Sequence, residues 1–320
     1  MSSAIYTPLV LFVYILAFVT GVPSNLLACY TFIVKVRQRP SPFLLFLLNL
    51  TISDLLLLFI LPFKIAEAAS NMTWPMPLFL CPIVVWVYFC SIYISTLFLT
   101  AVSIERYLGV AYPMKYKVSR KTVYTIWICG FIWVFSGLHG SVSLIVITVF
   151  PSNESQQDQC YQSFTEEQRN ILFPFRIEGS ILLFWIPFMI TIFCYFNFVR
   201  LLLSMPKIGR RRRYRAICLA VATLFNFTLC FVPYNISHIV GFVENKNSRW
   251  RVYALLLTTL NASIDPIIFY YSSTAVQKTF LRFLRGVKGK LGMRDENEAE
   301  MEISQLSETR TTYNNDRTSV

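Results

Sequence analysis

Seven stretches of this chain carry almost no charge, and each is long enough to cross a lipid bilayer as a helix. Pro8–Val34, Leu78–Ile104, Thr122–Phe150 and Ala216–Val243 contain no Asp, Glu, Lys or Arg. Pro42–Phe63 contains only Asp54, Val252–Gln277 only Asp265, and Ile171–Val199 only Arg176 and Glu178. Backbone in hydrocarbon must satisfy its own hydrogen bonds, so runs of this length are helices. The expected fold is all-α, a seven-transmembrane helix bundle. Charged residues make up 14% of the 320 residues, against about 25% in a soluble domain.

The loops orient the bundle. One set carries Lys35, Arg37 and Arg39, then Lys115, Lys117, Arg120 and Lys121, then Lys207, Arg210, Arg211, Arg212, Arg213 and Arg215. The other set carries Arg169, Lys246 and Arg249. Lys and Arg favour the cytoplasmic side, so the N-terminus is expected outside and the C-terminal tail inside. The net charge of +12 is mostly this topology signal and makes no case for nucleic acid. No small-residue cleavage site follows the first run, which serves as the insertion signal itself.

Four segments follow: residues 1–7 as an extracellular N-terminus, 8–273 as the helical bundle, 274–290 as a juxtamembrane helix and 291–320 as a tail. In the third, Val276, Phe280, Leu284 and Val287 share one helical face, with Lys278, Arg282 and Arg285 elsewhere. That pattern suits a helix lying on the inner leaflet. The acidic, Ser/Thr-rich tail is expected to be disordered. No internal repeat is evident, which argues against transporters built on inverted repeats.

Of eight cysteines, Cys29, Cys90, Cys129, Cys194, Cys218 and Cys230 fall within the runs and read as small buried hydrophobes. Cys81 and Cys160 fall at outer positions, where an oxidising compartment favours their pairing. Asn153-Glu154-Ser155 and Asn71-Met72-Thr73 are glycosylation sequons on the same side.

Polar groups inside the runs form three layers, and ionisable residues at such depth are functional candidates. The inner layer is Glu105-Arg106-Tyr107. The middle layer is Asp54, Ser95, Asn261 and Asp265, whose two carboxylates need protons, partners or a cation. The outer layer is Arg176, Arg251, His139 and His238, which helix rise places at similar depth. Singly, a histidine here is a satisfied core residue and an arginine snorkels to water. Together they point to an anion, because a guanidinium presents a planar fork of donors to a carboxylate. Glu178 lies two residues from Arg176, and such pairs do not share a helix face.

Several motifs stand in order along the chain: Asn25, Asn49 to Asp54, Glu105-Arg106-Tyr107, Tyr195 after Pro187, Cys230-Phe231-Val232-Pro233 and Asp265-Pro266. This set resembles the rhodopsin-like G-protein-coupled receptors over the whole helical part. The resemblance implies that Arg106 switches partners on activation, with Glu105 as its resting partner and Tyr107 and Tyr195 beside it. It also implies a water and sodium pocket at the middle layer, with a plain hydrogen-bonded cluster as the alternative. Phe231 stands where a tryptophan is usual, and Phe269 where the last tyrosine of the helix-seven motif is usual.

Four longer runs, Pro62 to Ser70, Ser103 to Ala111, Pro233 to His238 and Leu260 to Pro266, resemble the free fatty acid receptors. They are similar to the branch that senses short-chain acids such as acetate, propionate and butyrate. By that resemblance Arg176 and Arg251 anchor the carboxylate, and His139 and His238 support it. Tyr93 and Glu178 are assigned to the same site, and Phe89 lacks the hydroxyl found in relatives. The implied partners are heterotrimeric G proteins of the inhibitory class and Gq. Arrestins would act at Ser304, Ser307, Thr309, Thr311 and Thr312, and a PDZ domain at Thr318-Ser319-Val320.

Competing readings remain open. A receptor for a hydroxy acid, a longer fatty acid or a nucleotide would use the same anion site, with Lys64 as a third cation. A channel or transporter for small anions would use the polar layers as a path. A retinal-type pump needs a lysine in the last run, which has none. No nucleophile and base pair, metal-ligand cluster or phosphate loop suggests an enzyme.

Overall fold

The computed structural model describes residues 3–113, 122–150, 160–161, 164–205, 209–246, 250–272 and 277. Among these, the regular elements are helices. They are α1 (Ser3–Gln38), α2 (Pro42–Ala69), α3 (Leu80–Ala111), α4 (Thr122–Val149), α5 (Glu166–Ser204), α6 (Arg210–Val243) and α7 (Arg251–Ser272). All seven are long and apolar enough to cross a membrane.

The bundle is polar within and apolar without. Phe12, Val19, Phe59, Trp127, Phe131, Leu138, Phe193 and Phe225 are exposed, while Asn25, Asp54, Asn226, Asn261 and Asp265 are buried. Only a hydrocarbon solvent favours that distribution. Helices associate there through close packing and interhelical hydrogen bonds. Asn25 Nδ2 donates to the Ala262 carbonyl at 2.6 Å, joining α1 to α7. Trp133 Nε1 donates to Asn49 Oδ1 at 2.9 Å, joining α4 to α2. Tyr88 and Thr259 share a bond of 2.6 Å between α3 and α7. Ser180 Oγ donates to Asn235 Oδ1 at 2.9 Å, joining α5 to α6. Helix α3 packs on α2, α4 and α5, α1 on α2 and α7, and α6 on α5 and α7.

Local chemistry sets the helix starts. Ser41 caps α2 by accepting the Leu44 N–H, and Pro42 fills the first turn, where a missing N–H costs nothing. Thr165 and Gln168 form a reciprocal capping box at the start of α5. Glu166 and Glu167 complement the helix dipole in the same turn. This cap starts α5 five residues before the run beginning at Ile171, so Arg176 lies nearly three turns inside the helix rather than one and a half. The charges of Glu166, Glu167 and Arg169 had hidden the first turn from a hydropathy reading. Likewise α1 begins at Ser3, ahead of Pro8. A π-helical turn over Ile181–Trp185 interrupts α5 just before Pro187, which has no N–H to continue the ladder.

A disulfide joins Cys81 at the start of α3 to Cys160, with Cα atoms 5.7 Å apart. It ties the segment between α4 and α5 to the central helix. Two of the remaining cysteines depart from the buried expectation. Cys218 is exposed and Cys29 half-buried, because both face outward, where a small apolar side chain is equally at home in hydrocarbon. The expected juxtamembrane helix and tail, the sequon at Asn153, the kinase sites and the Val320 terminus lie outside the described residues, Gln277 apart. Asn71 is described and exposed.

Candidate functional site

At the disulfide end of the bundle, α5 brings Arg176 and α7 brings Arg251 into the interior, 7% and 6% exposed. Aromatic rings wall both guanidiniums. Arg176 lies 4.9 Å from the Tyr161 ring centroid, 4.8 Å from Phe164 and 5.5 Å from Phe173. Arg251 lies 5.5 Å from Phe89, 5.9 Å from Tyr161 and 5.8 Å from Tyr234. Tyr161 is therefore shared by the two cations, and Phe89 stacks on Tyr234 with centroids 6.2 Å apart. The π faces offset part of the cost of burying charge. They do not neutralise it, and the two guanidiniums repel each other. Among the described residues Arg251 has no carboxylate partner, and its Nε has no acceptor.

Tyr161 reaches this place through its backbone. It follows Cys160, so the disulfide fixes its entry, and its φ of 63° is a left-handed conformation that a bulky side chain rarely adopts. Such outliers persist where surrounding contacts impose them, and they cluster at functional sites. Burial pushes the Tyr161 phenol up, but Arg176 and Arg251 together outweigh it and hold the group below its ordinary value.

His238 on α6 stands in the field of both arginines, with its ring edge-on to Tyr234 at 4.5 Å. It is 4% exposed, and neither ring nitrogen has a hydrogen-bond partner. His139 is placed differently. Its Nε2 donates to Glu178 Oε2 at 3.2 Å, and its ring stacks on Phe175 at 4.2 Å. Tyr93 connects the two halves, edge-on to His139 at 5.9 Å and in the field of both arginines. Glu178 thus pairs with a histidine on α4 and not with Arg176 on its own helix. Lys64 forms an ion pair of 2.7 Å with Glu67 one turn along α2, so its charge is already matched.

Residues 24–269 match the family described as 7 transmembrane receptor (rhodopsin family). The chain belongs to this family of G-protein-coupled receptors. It is 45% identical to free fatty acid receptor 2 of Mus musculus over 281 residues, covering 86% of this chain and 84% of the relative. It is 44% identical to free fatty acid receptor 2 of Homo sapiens over 300 residues, covering 91% of each. Free fatty acid receptor 3 of Rattus norvegicus is 44% identical over 274 residues, covering 84% of this chain and 85% of the relative. The protein is therefore a multi-pass membrane receptor and not an enzyme.

In the middle of the receptor, Ser95 Oγ donates to Asp54 Oδ1 at 3.3 Å and shares a 3.2 Å bond with Ser53. Asn261 Nδ2 donates to Asp265 Oδ2 at 2.9 Å. Asn226, from α6, donates to Asn261 Oδ1 at 2.7 Å and to Asp265 Oδ1 at 3.1 Å. Asp54 Oδ2 has no hydrogen-bond donor. At the far end of α3, the Arg106 guanidinium donates to Thr223 Oγ1 at 3.5 Å and lies over the rings of Phe43 and Tyr195, at 5.6 and 6.0 Å. Glu105 is buried beside it, and Tyr107 packs edge-on against Phe193 at 6.0 Å. Phe231 and Phe269 are fully buried, packed against Phe227 and Phe32.

The outer and middle sites contain residues that sequence reasoning did not single out. Tyr161 and Phe164 belong to a loop without periodicity, and the one available signal was the adjacent Cys160. Asn226 was a lone polar residue in an apolar run, one helical turn before Cys230. Tyr234 and Phe173 read as ordinary aromatic core.

Proposed function

We propose that this receptor lies in the plasma membrane and responds to short-chain fatty acids. Its ligand carboxylate would sit between Arg176 and Arg251 at the extracellular end, and heterotrimeric G proteins would be engaged at the Arg106 end. One observation carries the reading: two buried guanidiniums face each other across aromatic walls, with the unpartnered imidazole of His238 beside them. A carboxylate satisfies all three groups, by charge and by the paired acceptors that a guanidinium fork prefers. The names of the relatives, free fatty acid receptors 2 and 3, supply the ligand class.

Crowding supports a small acid. Five rings, those of Tyr161, Phe164, Phe173, Phe89 and Tyr234, close on the guanidiniums. The best tiny ligands gain about 1.5 kcal/mol per heavy atom, so the few atoms of acetate cap its binding near about −6 kcal/mol, in the range of tens of micromolar. The receptor is then a sensor of abundant metabolites. Nucleotides fit less well, since Lys64 is held by Glu67. His139 would act at one remove, through Tyr93, with Glu178 setting its ring.

The remaining assignments rest on this reading. Asp54 Oδ2 and Ser95 Oγ offer hard oxygen ligands to a sodium ion, a cation that would relieve the repulsion between Asp54 and Asp265. Arg106, released from Thr223, would open the G-protein face. Inhibitory and Gq classes, arrestin binding to the tail, a PDZ contact at Val320 and glycosylation at Asn71 and Asn153 belong to the same proposal.

The test is a G-protein activation series in transfected cells, from formate to octanoate, with lactate and ATP alongside. Propionate and its neighbours should activate at tens of micromolar or above, and longer acids progressively less. A response to lactate or ATP with none to propionate would move the receptor to another anion. Nanomolar acetate would contradict the two-arginine site on energetic grounds.

A further inference from the structure

The second feature of the outer half lies on the lipid-facing side of α5. Pro174, Ile177, Glu178, Ile181, Leu182 and Phe242 line a groove of about 370 Å³ between α5 and α6. Its walls are apolar side chains exposed to hydrocarbon, Ile181 at 48%, Leu182 at 43% and Phe242 at 48%. In that wall stands one carboxylate, Glu178, whose side chain is 50% exposed. A charge facing lipid is costly and calls for a partner. His139 reaches Glu178 Oε2 from α4, while the exposed part of the carboxylate faces the groove. His139 can come so close only because residue 179 is glycine. A Cβ there would stand 2.4 Å from His139 Cε1.

We propose that this groove binds an amphiphile with a protonated amine head and a single alkyl chain, the ammonium on Glu178 and the chain along Ile181, Leu182 and Phe242. Charge decides the occupant. A fatty acid would set carboxylate against carboxylate, so the groove is not a second site for the anion sensed within the bundle. A hydroxyl donates one neutral bond, whereas an ammonium makes charge-assisted bonds of roughly twice the strength. The groove volume falls within the usual range for small-molecule sites, about 300–1,000 Å³. The π-helical turn Ile181–Trp185 forms part of its floor, and such turns often mark functional positions. The site touches the anion-binding side only through His139 and Tyr93, so it stands or falls separately from the ligand reading above.

The test uses purified receptor in lipid nanodiscs and three photoreactive twelve-carbon probes, an amine, an alcohol and a carboxylate, with labelled peptides mapped by mass spectrometry. The amine should label the segments holding Leu182 and Phe242 at about ten-fold lower concentration than the alcohol, as a charge-assisted bond implies. The carboxylate should not label them selectively. Glu178→Gln should erase the preference for amine over alcohol. Leu182→Trp, which fills the groove from a lipid-facing position, should lower labelling at Phe242 and leave the other helices unchanged. Equal labelling by amine and alcohol, uniform labelling of all exposed helix faces, or an amine preference that survives Glu178→Gln would each overturn the proposal.

Discussion

The ligand site depends on single side chains whose charge has no match nearby, and Tyr161 is the most informative of them. Its neutral phenol donates a hydrogen bond, and its ionised form is an anion competing for the same two guanidiniums. Buried, but drawn further down by Arg176 and Arg251, it ionises at a lower pH than a free tyrosine, for which the value is about 10. Below that lowered value the phenol is neutral and leaves the arginines to the ligand; above it the phenolate occupies them. Propionate potency should therefore fall as pH rises from neutral into the alkaline range, measured as nucleotide exchange in isolated membranes. Tyr161→Phe should keep potency flat across that interval, and an identical fall in the variant would assign the titration elsewhere. None of this was legible in the sequence. A loop residue has no periodicity to reveal its partners, and its left-handed φ exists only because the disulfide and the rings on either side impose it. Arg176 and Arg251 were legible because charge is so costly at their depth.

Among the helices, contacts at small residues set the spacing and polar pairs set the register. Gly179 on α5 admits the His139 ring from α4. Gly179→Ala should overpack this seam and lower stability by about 1–3 kcal/mol, read as a drop in the melting temperature of detergent-solubilised receptor. His139→Ala should recover most of that loss in the double variant, and fully additive losses would mean that the two do not share the contact. Asn226 works in the same way between α6 and α7, donating to Asn261 and Asp265. Asn226→Ala leaves those buried acceptors without donors and should cost about 1–3 kcal/mol in the same assay. A melting temperature equal to wild type would mean that other groups satisfy them. The seven runs foretold the helices well, since length and charge are properties of the segment itself. The ends of α5 and α1 were missed because a capped first turn in water is polar and looks like loop. Asn226 was missed because a lone amide in an apolar run looks the same whether it bonds its own helix or the next one.

For the molecule as a whole, the account links two ends of one bundle. An anion draws Arg176 on α5 and Arg251 on α7 together at one end, and α6 lies between them. That helix carries His238 near the anion, Asn226 at the carboxylate layer and Thr223 against Arg106. A displacement of α6 would reach all three levels, which is how a small acid could open the G-protein face. The receptor class was readable from motif order, whereas the reach of α6 through three layers emerged only from packing. The most direct test of the central claim is the propionate dose response of Arg176→Ala and Arg251→Ala, each matched to wild type for surface expression. Removing one member of a buried, charge-assisted contact costs about 2–5 kcal/mol, so each variant should lose potency by tens-fold or more, or lose the response. Variants that reach the surface and respond to propionate as the wild type does would contradict the two-arginine site.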